Sequence, residues 1–270
     1  MALYGILGDV HGNREALARV LEALDRHQVQ RIVCLGDVIG YNADPDECVE
    51  IVRRRCAVTI AGNHDLIALG RLDFRRCSTK AEYALRTTRR KLQPSSKTWL
   101  AALPTSHVLE SGVVLLHGGV RDVQQRMTTP EQILENAAYL REDFPGTRFC
   151  FFAHSHEQKI YRAEAGEVEQ IARDAEPLEG NGVYFVNPGS VDASRKSGRK
   201  LAECALFDSL QRTVRFLRVP YDSAATEAKA AVFGYRINPL ADQLYTLRRQ
   251  TASAARRIGE RLHRGAHSGR

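Results

Sequence analysis

The chain has few of the features that mark secreted, fibrous or membrane-bound proteins. Its six cysteines include no Cys-x-x-Cys pair. Cys34, Cys150 and Cys204 sit inside strand-like apolar runs, where a free thiol packs as a small apolar group. No apolar stretch is long enough to span a bilayer, and no basic segment followed by an apolar one precedes the first strand. These absences predict a reduced, cytoplasmic setting. There is no internal repeat and no low-complexity linker. A single Trp, with no basic groove interleaved with aromatics, places nucleic acid below smaller anions as a partner.

What is present suffices for a real core: 270 residues, 43% of them hydrophobic. The formal net charge is +7. Such a balance favours polyanionic partners and says nothing of fold. Much of the excess lies between Arg248 and Arg270, with seven Arg and one acid, Glu260. That run reads as a solvated helix face or tail.

The first half alternates strand and helix patterns. Asn13 caps a helix over Arg14–His27, with Ala16, Leu17, Val20, Leu21 and Leu24 on one face. Pro45 opens a second helix, Asp46–Arg55. Ser78–Leu92, Ser95–Leu103 and Thr129–Glu142 also read as helices. The second half turns to strands: Lys159–Ala163, Val168–Ala172, Val183–Val186, Leu201–Phe207 and Thr213–Val219. From Asp222 the pattern is helical again. Alternating β/α followed by a strand-rich half predicts an α/β fold, a two-sheet core with helices outside.

Five short apolar runs each end in a metal-binding type of residue. Leu3–Leu7 leads to Asp9 and His11, Arg31–Leu35 to Asp37, and Ala57–Ile60 to Asn63, His64 and Asp65. Val113–Leu116 leads to His117, and Phe149–Phe152 to His154 and His156. Buried strands feeding polar loops collect their functional groups at the carboxyl ends of a sheet. The five loops are therefore read as one site for two divalent metal ions, of which Mn, Fe, Zn and Co all accept such donors. Asp37 is the natural bridge, because one carboxylate can offer an oxygen to each cation. Asp9, His11, Asn63, His117, His154 and His156 complete the ligand set. His64 is placed to protonate a leaving oxygen as general acid, and Asp65 to fix the His64 tautomer. Two such ions suit phosphate chemistry, with a metal-bridging hydroxide as the attacking group. His27, His107, His263 and His267 carry no comparable signal.

Asp9-x-His11, Gly36-Asp37, Gly62-Asn63-His64-Asp65, His117 and His154-x-His156, in this order, resemble the calcineurin-like metallophosphoesterase superfamily, in its compact bacterial and archaeal branch. The resemblance runs from residue 3 to about residue 220. It implies a four-layer αββα sandwich of two mixed sheets flanked by helices. It implies a phosphoesterase domain over 1–221; the helical patterns themselves read as an insertion at about 66–109 and a basic C-terminal appendage over 222–270 rather than a second domain. One metal would be held by Asp9, His11, Asp37 and His156, the other by Asp37, Asn63, His117 and His154. Small phosphomonoesters, phosphodiesters or nucleotides are the expected substrates. Protein phosphatase or dinucleoside-polyphosphate hydrolase activity, or an interaction scaffold, are the alternatives. Asn187-Pro188-Gly189-Ser190 is a further segment of this branch, a turn or a phosphate contact.

Two departures stand out. Ala153 replaces the Gly usual before His-x-His in this branch. The Arg that follows Gly-Asp in Ser/Thr protein phosphatases and dinucleoside tetraphosphate hydrolases is missing, since Gly36-Asp37 continues as Val38-Ile39-Gly40-Tyr41-Asn42. Arg195 is expected to supply a substitute cation, with Tyr41 and Asn42 lining the same mouth.

Overall fold

The computed structural model describes residues 2–110, 112–172, 177–193, 196, 198–238 and 242. Arg195 and the basic stretch Arg248–Arg270 lie outside them. In chain order the elements are β1 (Leu3–Leu7), α1 (Arg14–Arg26), β2 (Arg31–Cys34), α2 (Pro45–Arg55), β3 (Val58–Thr59) and α3 (Asn63–Ala68). Then come α4 (Thr79–Lys91), α5 (Pro94–Ala101), β4 (Ser106–Glu110), β5 (Val113–Leu116), α6 (Pro130–Asp143) and β6 (Phe149–Phe151). The chain continues with β7 (Gln158–Glu164), β8 (Glu167–Ile171), β9 (Val183–Pro188), β10 (Leu201–Asp208), β11 (Thr213–Pro220) and α7 (Ser223–Val232).

One sheet has the order β11-β10-β1-β2-β3, the other β4-β5-β6-β9-β7-β8. β1, β2 and β3 run parallel, with β3 at one edge, as do β5, β6 and β9; β10, β4 and β7 join these parallel sets in antiparallel pairing. The strands are apolar on both faces because both faces are covered. Tyr4, Ile6, Val33 and Leu35 point inward to meet Val113, Leu115, Phe149 and Phe151 of the second sheet. The alternate residues Leu7, Ile32, Cys34 and Cys204 point outward, under α1 and α2. Val114, Leu116, Cys150 and Phe152 do the same under α6. Helices, sheet, sheet, helix make the four layers of an αββα sandwich. Phe207 of β10 closes the centre, its ring centroid 4.9 Å from that of Phe151 and 5.1 Å from that of Phe149. Each such buried side chain contributes about 1.5–3 kcal/mol.

Capping agrees with the sequence. Asn13 accepts from the Ala16 amide and Ser78 from that of Ala81. Thr129 and Gln132 form a reciprocal capping box at the start of α6. Between the third and fourth ligand loops the chain is helical through α3, α4 and α5, but the expected helical insertion over about 66–109 ends earlier. Residues 106–110 form β4, an edge strand whose register shifts between Val108 and Glu110. No residue of β4 is fully buried, so it leaves no apolar alternation to read. The helix expected from Asp222 is α7. It packs on α1 through Thr226 to Asn13 (3.2 Å) and Lys229 to Asp44 (2.7 Å) and Glu15. All six cysteines are free. No helix among the described residues is long and apolar enough to cross a membrane.

Candidate metal centre

The parallel strands stop at one rim, and the turns beyond them are unusual. Eight described non-glycine residues have positive φ, and five of them are Asp9, His11, Asp37, His154 and His156. A side chain in this left-handed region costs of order 1 kcal/mol, least for residues such as Asp and His. Strain gathered on three neighbouring loops marks a site rather than a set of ordinary turns. A mesh of backbone bonds holds it. The Asp9, His11 and Gly12 amides donate to the Gly36, Asp37 and Val38 carbonyls at 3.0, 2.8 and 2.9 Å, zipping the first loop to the second.

The side chains converge. Asp9, His11 and His156 form one group whose ligand atoms all lie within 4.8 Å of one another; His11, Asp37 and His64 form a second, and Asp37, His117 and His154 a third. His11 Nε2 and His156 Nε2 are 3.2 Å apart, and both face Asp9 Oδ1, at 3.8 and 3.5 Å. His117 Nε2 lies 3.0 Å from Asn63 Oδ1 and 3.4 Å from Asp37 Oδ2. The ligands of an ion bound at roughly 2.1 Å sit about 3 to 3.5 Å from each other, so these separations match the edges of a coordination shell.

The chemistry of the donors fits a cation as well. His117 Nδ1 lies 2.8 Å from the Leu35 carbonyl, which can accept only an N–H. That bond fixes the tautomer and turns the Nε2 lone pair toward two oxygens. A lone pair facing two acceptors is stable only with a cation between them, whether a proton or a metal. Burial opposes charge on His117, yet Asp37 carries its pKa up to about 9. Burial raises the Asp37 carboxyl, but His117, His64 and His11 hold it well below the usual carboxylate range. Burial, with His117 beside it, takes His154 down to about 3, which leaves its ring neutral and able to donate a lone pair. Asp9, His11, Asn63 and His117 are buried, and His154 and His156 half-buried at the open side.

His64 opens α3. Its backbone N–H donates to Asp37 Oδ1 at 2.7 Å, and its ring stands 4.5 Å from that of His11 and 4.9 Å from that of Tyr41, between centroids. The role expected of Asp65 changes. Its carboxylate accepts from the backbone amides of Gly62 (2.9 Å), Ile39 (3.3 Å) and Val38 (3.4 Å) and makes no bond to the His64 ring. Asp65 therefore pins the Asp37 loop to the start of α3, and the tautomer of His64 is not set by it. Burial and the charge of Asp37 push its pKa up to about 7.

Asn187-Pro188-Gly189-Ser190 is a buttress rather than a phosphate contact. Asn187 Nδ2 donates to the Ala153 carbonyl (2.8 Å) and to Ser155 Oγ (2.9 Å), holding the His154-x-His156 loop. Ser190 Oγ donates to the Asp9 carbonyl at 3.1 Å. Both residues are fully buried. Asn42 is corrected in the same way. It is 1% exposed and its amide is committed, donating to the His11 carbonyl at 3.2 Å and accepting from Arg236 at 2.9 Å. It does not line the mouth. Tyr41 does. A cavity of about 470 Å³ opens there, reached by Tyr41, His64, His154, His156, Arg76 and Arg126.

A sequence model described as the calcineurin-like phosphoesterase superfamily domain matches residues 2–211. The chain belongs to that superfamily. A metallophosphoesterase from Sphaerobacter thermophilus superposes with a TM-score of 0.70 at 29% identity, covering 91% of this chain and 98% of that one. A hypothetical protein from Pyrococcus horikoshii gives a TM-score of 0.67 at 16% identity over the same shares, and so supports the fold. An uncharacterised protein of Methanocaldococcus jannaschii is 27% identical over 224 residues, 82% of this chain and 88% of its own length.

Membership of the superfamily gives the two sequence departures a structural meaning. Ala153 is buried in the same apolar cluster as Leu35, so its methyl group is accommodated in the core between the sheets. Arg76 and Arg126 both reach the cavity beside the donors, and neither was evident from sequence. They lie in irregular loops, with no periodicity or motif to mark them. Arg76 is tied to Asp122 (2.6 Å) and to the Gln124 carbonyl (2.6 Å). Arg126 is exposed, with its guanidinium 3.5 Å from the Ser155 carbonyl.

Proposed function

We propose that this member of the superfamily is a two-metal phosphoesterase that hydrolyses nucleotides or other small phosphate esters. The observation that carries the reading is the overlap of the three donor groups, with Asp37 shared by two of them. In this reading Asp9, His11, Asp37 and His156 would hold one ion, and Asp37, Asn63, His117 and His154 the other. When bound, such ions supply Lewis-acid chemistry, neutralising phosphoryl oxygens and making water a nucleophile near neutral pH. Mn, Fe, Zn and Co all suit a mixed imidazole and oxygen donor set.

The chain's own residues do the rest. The His117 bond to Leu35 and the Asp65 bonds to three amides hold the donors in place before substrate arrives. His64 lines the cavity, and a ring nitrogen there would give its proton to the departing ester oxygen. Its backbone bond to Asp37 ties the acid to the carboxylate assigned as the bridge. Arg126 supplies an exposed, always-charged fork at the mouth that can grip a phosphoryl oxygen, the part expected of Arg195, which lies outside the described residues. Six free thiols fit a reducing compartment, and we place the reaction in the cytoplasm.

The test is reconstitution with each metal, elemental analysis, and assay on p-nitrophenyl phosphate and its bis ester. Asp37→Ala is expected to lose bound metal and turnover together. A fully loaded wild-type chain that cleaves neither ester would replace this reading with an interaction scaffold on the same fold.

A further inference from the structure

We propose that a second cavity, which shares the wall residues Tyr41 and Ser78 with the first, is the subsite for the organic part of the substrate, and that the substrate class is nucleoside phosphates. The inference rests on the phosphoesterase reading and adds to it what lies beyond the reacting phosphorus.

The second cavity holds about 570 Å³, and its walls include Tyr41, Ser78, Lys80, Tyr235, Arg236 and Ile237. A phosphoryl group occupies only part of the 470 Å³ beside the donors. Whole small-molecule sites run to roughly 300–1,000 Å³, so two neighbouring cavities of this size are scaled to a ligand with a substantial second part. Tyr41 is the hinge of the two cavities. One side of its ring meets His11, at 4.7 Å between centroids, and the residue also walls the second cavity. In the proposed binding mode a substrate phosphorus at the donors would have its ester group directed past Tyr41 toward the second cavity.

The wall is rigid. Tyr41 and Tyr235 are 8% and 3% exposed and pack with Ala81, Ala84 and Ala230. Arg236 donates to the Tyr41 carbonyl (2.7 Å) and to Asn42 Oδ1 (2.9 Å), and Asn42 reaches on to the His11 carbonyl (3.2 Å). The subsite is thus bonded, through three residues, to a loop that carries a proposed metal ligand. A preformed wall costs less to bind against than one that must be ordered.

Charge narrows the chemistry. Arg236 is neutralised by Glu227 at 2.8 Å. Lys80 is exposed and makes no ion pair among the described residues, so it leaves one positive charge facing the cavity. Tyrosine wall, hydroxyl and one cation together suit a ring-bearing anion. Tyr235, Arg236 and Ile237 lie beyond the residues 2–211 matched by the superfamily domain, while Tyr41, Ser78 and Lys80 lie within them.

The test is calorimetric titration of the Mn²⁺-loaded full chain with adenosine 5′-monophosphate and with inorganic phosphate, for wild type and Lys80→Glu. The nucleotide is expected to bind at least about tenfold tighter than phosphate, and Lys80→Glu to remove most of that advantage, as loss of a charge-assisted contact does. Lys80 is exposed, so the variant should fold; a thermal scan checks this. Equal affinity for both ligands, or an advantage that survives Lys80→Glu, overturns the inference. The two readings fail separately. A chain that cleaves p-nitrophenyl phosphate yet shows no nucleotide advantage loses the subsite alone. One that binds the nucleotide through Lys80 yet cleaves no ester keeps the subsite and loses the phosphoesterase reading.

Discussion

Gly40→Ala is the most informative single perturbation, because it adds one methyl group and removes nothing. Gly40 has φ +155°, and a Cβ built there would lie 2.6 Å from His64 Nδ1 and 2.7 Å from His11 Nδ1. Ordinary carbon contacts begin at roughly 3.5 Å, so both rings would have to retreat by roughly 0.8 Å. One of those rings is a proposed metal ligand and the other the proposed acid. Misplacing reacting groups by about 1 Å costs on the order of 100-fold in rate. The backbone adds a separate cost of about 1–3 kcal/mol, since this φ suits glycine alone. Gly146→Ala separates the two effects. Gly146 also has positive φ, +83°, but nothing lies within 4 Å of the added Cβ. Both variants should lose about 2–4 °C of Tm for each kcal/mol of strain. Only Gly40→Ala should also weaken metal binding, by about 10-fold or more, and lower kcat/KM by about 100-fold. Isothermal titration with Mn²⁺ and p-nitrophenyl phosphate kinetics read these separately. If Gly40→Ala keeps metal affinity and rate at the level of Gly146→Ala, the packing of His11 and His64 around Gly40 does not govern the site.

Three further outcomes follow from the same geometry. His64→Ala should keep its metal and lose about 10²–10⁴-fold in turnover, most on esters with poor leaving groups; full activity on such an ester removes the acid role. His156→Gly should be more stable than His156→Ala by about 1 kcal/mol, because both delete the imidazole but only alanine retains the strain at φ +62°; equal melting temperatures would show that the loop is relaxed. Burial raises the Glu15 carboxyl, but its hydrogen bond with Lys229 and that residue's charge bring it below its ordinary 4.5. The folded value is depressed, so this stabilisation is present above 4.5 and is lost as pH falls through the folded value. Lys229→Met should therefore lower Tm at neutral pH while its Tm-against-pH curve meets that of wild type in acid; parallel curves down to the acid limit would exclude the link.

Much of this was legible in the sequence because it rests on period and order. β1, β2, β5 and β6 announce themselves as apolar runs, since both of their faces are buried; only Arg31, at the exposed start of β2, is charged. Each donor follows its strand within a few residues, and the parallel topology then brings them to one rim. What escaped is long-range or aperiodic. Asp65 stands beside His64 in sequence, yet α3 begins at Asn63 and turns the carboxylate back onto the Gly62, Val38 and Ile39 amides. Asn42 follows Tyr41, but one backbone step reverses the direction of a side chain, and only one of the two faces the cavity. Arg126 and Arg236 carry no local signal, because the groups they serve are far away in the chain.

The placement of strain ties these parts together. Asp9, His11, Asp37, His154 and His156 hold positive φ in loops that begin at the ends of buried strands. The strands beneath them are covered on both sides, and Asn187, Ser190 and Asp65 satisfy loop carbonyls and amides that would otherwise be left unpaired. A flexible loop would relax such a backbone and let the like-charged carboxylates Asp9 and Asp37 separate. Here the sheets oppose that relaxation, so two acids and their imidazoles stay close enough to demand a cation. On the two-metal reading, fold stability would be converted into metal affinity through the backbone of the loops rather than through the ligands themselves.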